Sequence, residues 1–292
     1  MTLIDFYEAY GTEEQCRQYM YNKRWPNGFV CPKCGHNECF NIESRHLYQC
    51  KVCNHQASLT AGTIMDKTRT PLVKWFLAIY LFSSDKRSVS ALSLKGKLGI
   101  SYNTSWTMCQ KIRFAMGKRD ENYKLGGTVE MDEAFFGAPS EGGKRGRGTD
   151  KTAVMVSVSL SAAGKPQCAK MQVVDTINGE TVAQFAKNAV AKGSEVHTDG
   201  LPVYTALDNK GYTLVRQKYE PKNQPKHLHW THIIISNAKA FIGGTFHGLD
   251  SIHLQRYLDE FCYRLNRRCQ PELAFSRLLS ASIAAGTALV MN

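Results

Sequence analysis

Residues 128–137 read TVEMDEAFFG. In a β-strand, successive side chains point to opposite faces. Val129 and Met131 then face one way, and Glu130 and Asp132 face the other. Two like charges on one face repel, and burial beside Phe135 and Phe136 raises the cost of keeping them ionised. These acids therefore need something to face.

Outward from this strand the texture is α/β. TAVMVSVSLSAAG (152–164) and KPQCAKMQVVD (165–175) predict two more strands joined by a tight turn. ETVAQFAKNAVAKG (180–193) predicts an amphipathic helix with Val182, Phe185, Ala186, Ala189 and Val190 inward. SEVHTDG (194–200) predicts a fourth strand ending at Asp199-Gly200. A short helix at 203–209, a fifth strand at 212–219 and a strong helix at 253–268 follow. The helix buries Leu254, Leu258, Phe261 and Leu265. Three strands, helix, strand, helix, strand, helices is the order of an RNase H-like mixed sheet. In that fold the first strand is central and carries an Asp, and the fourth lies beside it and ends in a second Asp. Asp132 and Asp199 are therefore expected to meet. Two adjoining carboxylates call for a cation, and magnesium is the hard, oxygen-seeking choice. Paired metals activate the attacking oxygen and stabilise the leaving one in phosphoryl displacement.

Upstream, CPKCG and CKVCN place Cys31, Cys34, Cys50 and Cys53 as two Cys-x2-Cys turns with 15 residues between them. Four thiolates in this pattern form a closed tetrahedral zinc site. A ribbon of this size has too little core of its own, so the metal supplies stability. His36, Cys39 and His55 are read as bystanders. Thr12 and Gln15 form a capping box that opens a helix through Tyr21.

Between these regions, residues 66–124 carry 12 Lys and Arg against 4 Asp and Glu, in a chain of net charge +12. PLVKWFLAIYLF is helical, with Pro71 in its first turn. A helix, a turn at 98–100 and a second helix from about Asn103 to Met116 follow. Trp106, Cys109, Ile112 and Met116 share one face of that helix, and Lys111 and Arg113 lie elsewhere. This is the helix-turn-helix pattern, and the charge points to DNA phosphates. The expected organisation is residues 1–65 for the N-terminal helix and zinc ribbon, 66–124 for the helical DNA-binding region, and 125–292 for the catalytic domain with C-terminal helices.

The 292 residues are 43% hydrophobic, enough for a sizeable core. The densest apolar run, WFLAIYLF, is far below the roughly 20 residues of a membrane span. The start lacks the features of a signal peptide. A soluble cytoplasmic protein associated with the nucleoid is expected. Ten cysteines in that setting favour metal or free thiol over disulfide.

RWPNGFVCPKCG, LTAGTIMDKTRTPLVKWF, VEMDEAFFG, GGKRGRGTDK, VHTDGLPVY, ISNAKAFIGGTFHG and LQRYLDEFCYRLNRR together resemble the bacterial insertion-sequence transposases of the zinc-ribbon group within the RNase H-like DDE superfamily. The pieces span nearly the whole chain. The resemblance implies magnesium-dependent cleavage at transposon ends, strand transfer into target DNA, and a homo-oligomer on paired ends. By motif position it assigns Asp132 and Asp199 as the first two catalytic residues. Where a Glu is usual, the chain has Ser236-Asn237-Ala238-Lys239, similar to a subgroup with Asn then Lys. Asn237 is then expected as a metal ligand at a helix start, with Lys239 near a phosphate. Asn is also a common helix cap, and Glu260 and Asp259 are rival third ligands. KRGRG (144–148) is a candidate DNA-channel loop. HLHWTH (227–232) with Tyr257 resembles a rolling-circle nuclease, a reading that leaves the two Asp-bearing strands unexplained. A DNA-binding regulator with an inactive α/β domain is the non-enzymatic alternative.

Overall fold

The computed structural model describes residues 1–137, 150–217, 227–246 and 249–288. The KRGRG run lies outside them. The chain divides into two compact units, residues 1–116 with 270–292, and residues 117–269. The expected organisation divided the chain at residues 65 and 124 instead. The ribbon and the following helices share one unit, and the last helix, α9 (Ala274–Ala284), belongs with them. The reason is aromatic packing: Phe275 of α9 meets the rings of Phe6, Tyr10 and Tyr80.

In the first unit, α1 (Leu3–Tyr10) and α2 (Glu13–Arg24) each open on a capping box, Thr2 with Asp5 and Thr12 with Gln15. Only the second was expected. The ribbon is a three-stranded antiparallel sheet of β1 (Cys39–Ile42), β2 (Leu47–Cys50) and β3 (Gln56–Ser58). Tyr48 of β2 sits against Tyr21 of α2 and Trp25, with ring centroids 5.2 Å away in both cases.

Then come α3 (Leu72–Ser84), α4 (Ala91–Leu98) and α5 (Tyr102–Asp120). The expected turn is present: Gly99 ends α4 in the left-handed region at φ 58, which glycine adopts without a Cβ clash. α5 is covered on more than the one face expected, since Ser105, Met108, Gln110, Ile112 and Arg113 are all buried. Arg113 is therefore not a phosphate contact. It is 1% exposed, its guanidinium lies 5.4 Å from the Phe82 ring centroid, and it donates to the Val89 carbonyl. The solvent-open lysines of the pair of helices are Lys95 and Lys97 on α4 and Lys118 near the end of α5, of which Lys118 is ion-paired to Glu121. Arg113→Ala is expected to cost about 3 kcal/mol of stability in urea unfolding, because it opens a buried, hydrogen-bonded site. Lys95→Ala with Lys97→Ala is expected to lower the salt slope of DNA binding by up to about 2 at unchanged stability. An unchanged slope would move the phosphate contacts elsewhere.

The second unit is built on a five-stranded sheet in the order β6-β5-β4-β7-β8. The strands are β4 (Thr128–Phe136), β5 (Thr152–Leu160), β6 (Pro166–Val174), β7 (Glu195–Thr198) and β8 (Thr213–Arg216). β5 runs antiparallel to both of its neighbours, β4 and β6, whereas β7 runs parallel to β4 and β8 parallel to β7. This is the RNase H-like arrangement, with β4 central. One face packs Val129, Met131 and Met155 under α6 (Gly179–Ala189) and the 3-10 helix Pro202–Leu207. The other packs Ala134, Val154, Val156 and Val158 under α7 (His229–Thr245) and α8 (Leu254–Asn266). Among the described residues no helix is long and apolar enough to cross a membrane.

Candidate active site and metal centre

The four cysteines converge. Their Sγ atoms all lie within 4.8 Å of one another, with Cys31–Cys53 at 3.6 Å and Cys34–Cys50 at 3.5 Å. Zinc–sulfur arms of about 2.3 Å imply tetrahedral edges of about 3.8 Å, so the cluster fits one zinc. Each turn is closed by backbone bonds, Gly35 N–H to Cys31 O and Asn54 N–H to Cys50 O. The backbone N–H of Cys53 is the largest influence pulling the Cys50 thiol below its ordinary value, toward the thiolate that metal binding needs.

The second candidate centre lies midway along β4, level with the point where β7 stops. The parallel register pairs Val129 with Val196 and Glu130 with His197. Continued two residues, it brings Asp132 beside Asp199, which directly follows β7. The alternation expected for residues 128–137 holds. Glu133 faces the α6 side, where it accepts a 2.8 Å bond from the buried Tyr204 hydroxyl. Burial, then the charges of Glu133, Asp132 and Asp199, push the Tyr204 hydroxyl far up from its ordinary pKa. One tyrosine thus senses all three carboxylates.

On the α7 side, Glu130 and Asp132 meet different partners. Glu130 is buried and hydrogen-bonded to Thr231. Asp132 lies 3.2 Å from His232 Nε2. The hydrogen bond that its ring N–H donates to Asp132 holds the His232 imidazole above its ordinary pKa. The His232 side chain is 56% exposed and that of Asp132 14%, so the pair is held by protein yet open to a large substrate.

α7 begins at His229, so Asn237 is well inside it and exposed, not at a helix start. At about 100° per residue, Asn237 stands about 140° around the helix from His232. Lys239, seven residues after His232, returns to within about 20° of it. Lys239 sits 5.6 Å from the Phe136 ring centroid, at the end of β4. Burial first, then the charge of Lys151, pull its pKa down. The helix therefore turns His232 and Lys239 toward β4 and Asn237 away. Glu260 is fully buried on α8 and ion-paired to Arg264 at 2.6 Å, on a helix that packs against the outer strand β6. Asp259, also on α8, accepts from Gln255. Among the described residues only the cysteines form a ligand cluster as tight as 4.8 Å.

Two family models match the chain. Residues 124–266 match the ISXO2-like transposase domain, and residues 11–56 match the transposase zinc-ribbon domain. The chain is 26% identical over 219 residues to an uncharacterised protein in transposable element ISH50 of Halobacterium salinarum, covering 69% of this chain and 72% of that protein. Similar solved structures include the catalytic core domain of BIV integrase, with TM-score 0.32, 16% identity, and coverage of 48% of this chain and 84% of that one. Mos1 transposase in a paired-end complex with left transposon end gives TM-score 0.25, 12% identity, and coverage of 70% and 78%. With its ribbon, its RNase H-like sheet and both domain matches, the chain belongs to the insertion-sequence DNA transposases of this zinc-ribbon family.

Proposed function

We propose that this transposase cuts phosphodiester bonds at the ends of its element and joins them to target DNA, using divalent metal held by Asp132, Asp199 and His232. The observation that carries the reading is His232 Nε2 at 3.2 Å from Asp132, at the point where the β4–β7 register delivers Asp199. The donor set is two carboxylates and an imidazole. Magnesium accepts the carboxylates together with waters and phosphate oxygens, and manganese tolerates the imidazole better. Bound metal would supply Lewis acidity and an activated attacking oxygen. The chain's own residues do the rest. β4 and β7 hold the two Asp in fixed register. α7 presents His232 over them. Lys239, on the same stripe, is placed to hold a DNA phosphate at the rim. Solvent-open Lys95 and Lys97 on α4 suit the phosphates of flanking duplex. Assembly as a homo-oligomer on paired ends is part of the same proposal, on family grounds.

The test separates His232 from Asn237, the ligand expected from sequence. Purified protein is assayed for metal-dependent nicking of the element's terminal sequences. His232→Ala should lose about 100-fold or more, the scale of misplacing a reacting group. Asn237→Ala should stay within about threefold, since an exposed, off-stripe residue contacts no reacting atom. The reverse ranking would restore Asn237 as the third ligand.

A further inference from the structure

Glu130 has a partner 101 residues away in sequence. Its Oε2 accepts the backbone N–H of Thr231 at 2.8 Å and the Thr231 hydroxyl at 2.9 Å. Both residues are buried, Glu130 at 7% and Thr231 at 0% exposure. The N–H groups of a helix's first turn have no partners within the helix. α7 does not cap itself, because Leu228 occupies its N-cap in a left-handed conformation and makes no side-chain bond. The strand supplies the cap instead, and a carboxylate suits the positive end of the helix.

We infer that Glu130 is a positioning residue that fixes α7 on β4 and so sets His232 against Asp132. Asp132 is the next residue on the same face of β4, and His232 is the next residue of α7 after Thr231. The two bonded pairs, Glu130 with Thr231 and Asp132 with His232, are thus adjacent rungs between one strand and one helix. An ordinary polar residue at 228 would satisfy the helix end equally well without burying a charge, which is costly. It would leave the helix free to turn about its axis. A rotation by one residue swings His232 by about 100° and takes it off the carboxylates. The bond from the strand removes that freedom. The inference rests on Asp132, Asp199 and His232 being the ligands.

The experiment measures binding of Mn2+ alone to the zinc-loaded full chain by calorimetry, with urea unfolding in parallel. Glu130→Gln keeps an acceptor oxygen and should stay within about threefold of wild type. Glu130→Ala should weaken Mn2+ by about 10- to 100-fold, the range seen when groups that orient ligands are lost. Glu130→Asp keeps the charge but withdraws the oxygen by one methylene, and should weaken Mn2+ in the same direction. It also serves if the Ala variant fails to fold. Lowered stability with wild-type Mn2+ affinity in Glu130→Asp or Glu130→Ala would make the residue a mere helix anchor and overturn the inference. Asp132→Asn locates the failure. If that variant also binds Mn2+ normally, the ligand assignment itself is wrong, and the inference falls with it.

Discussion

Asp132→Asn and Asp199→Asn should each abolish cleavage, by about 10³-fold or more, while DNA affinity stays near wild type. A loss of that size is about 4 kcal/mol at the barrier. The substitution keeps side-chain volume and hydrogen-bonding capacity, so β4 and β7 retain their register and the Asp132 partner His232 retains a neighbour to bond. What disappears is one negative charge at the place where a cation must be held against others. Asn oxygen remains a ligand but a neutral one, and the activated oxygen loses its placement. DNA affinity is spared because phosphate contacts come from cations, and removing a carboxylate from a polyanion-binding surface, if it does anything, tightens binding. Stability in chelator should not fall. Three carboxylates act together on the Tyr204 hydroxyl, and relieving one reduces that crowding. Nicking assays on end-sequence DNA, filter binding and thermal melts read the three outcomes. Nicking at near wild-type rate by either variant would remove these residues from the chemistry. Lost activity with lost folding would make them structural.

Much of this site was readable in the sequence for definite reasons. Alternation along residues 128–136 separated Glu130 and Asp132 from Val129 and Met131, and the structure keeps that division. The order of elements then pointed to Asp199 as the neighbour of Asp132, because few topologies accommodate that order, and the β4–β7 register runs toward that pairing. The four cysteines were readable from spacing alone. His232 was not. HIIIS looks like the end of a strand, since β-branched residues disfavour helices slightly. Burial decided otherwise: Thr231, Ile234, Ile235 and Ala238 recur at helical spacing and are all buried, so the helix starts early and Ile234 and Ile235 face the sheet. A signal was available in the seven-residue interval from His232 to Lys239, which puts them on one stripe, while Asn237 and Lys239, two apart, cannot share one. Arg113 failed for a different reason. A helical wheel assumes one buried face, and α5 is packed from several directions.

Loss of zinc should unfold the ribbon outright. Its strands have three or four residues each, and they expose rather than bury much of their apolar surface. Phe40 is 59% exposed, Val52 65% and Val30 46%, so the turns that carry the cysteines have little hydrophobic reason to close. The rings of Trp25, Phe29 and Tyr48 pack on one another and on Tyr21 of α2. Without a cation, thiolates held within 4.8 Å repel, and protonated thiols offer only weak hydrogen bonds. Structural zinc in such peptides contributes about 10–16 kcal/mol at neutral pH, more than a small core can replace. Cys50→Ser is the sharpest variant, because Cys50 is fully buried and its register partner is Cys39 on the neighbouring strand. Elemental analysis should find one zinc per wild-type chain and none per Cys50→Ser chain. Limited proteolysis should then cut between residues 26 and 60 in the variant and spare the wild type. The five-stranded sheet belongs to the other compact unit and should keep its own melting transition. A Cys50→Ser protein that resists proteolysis in the ribbon would show that the aromatic packing suffices, and that the cysteines are not what holds the ribbon closed.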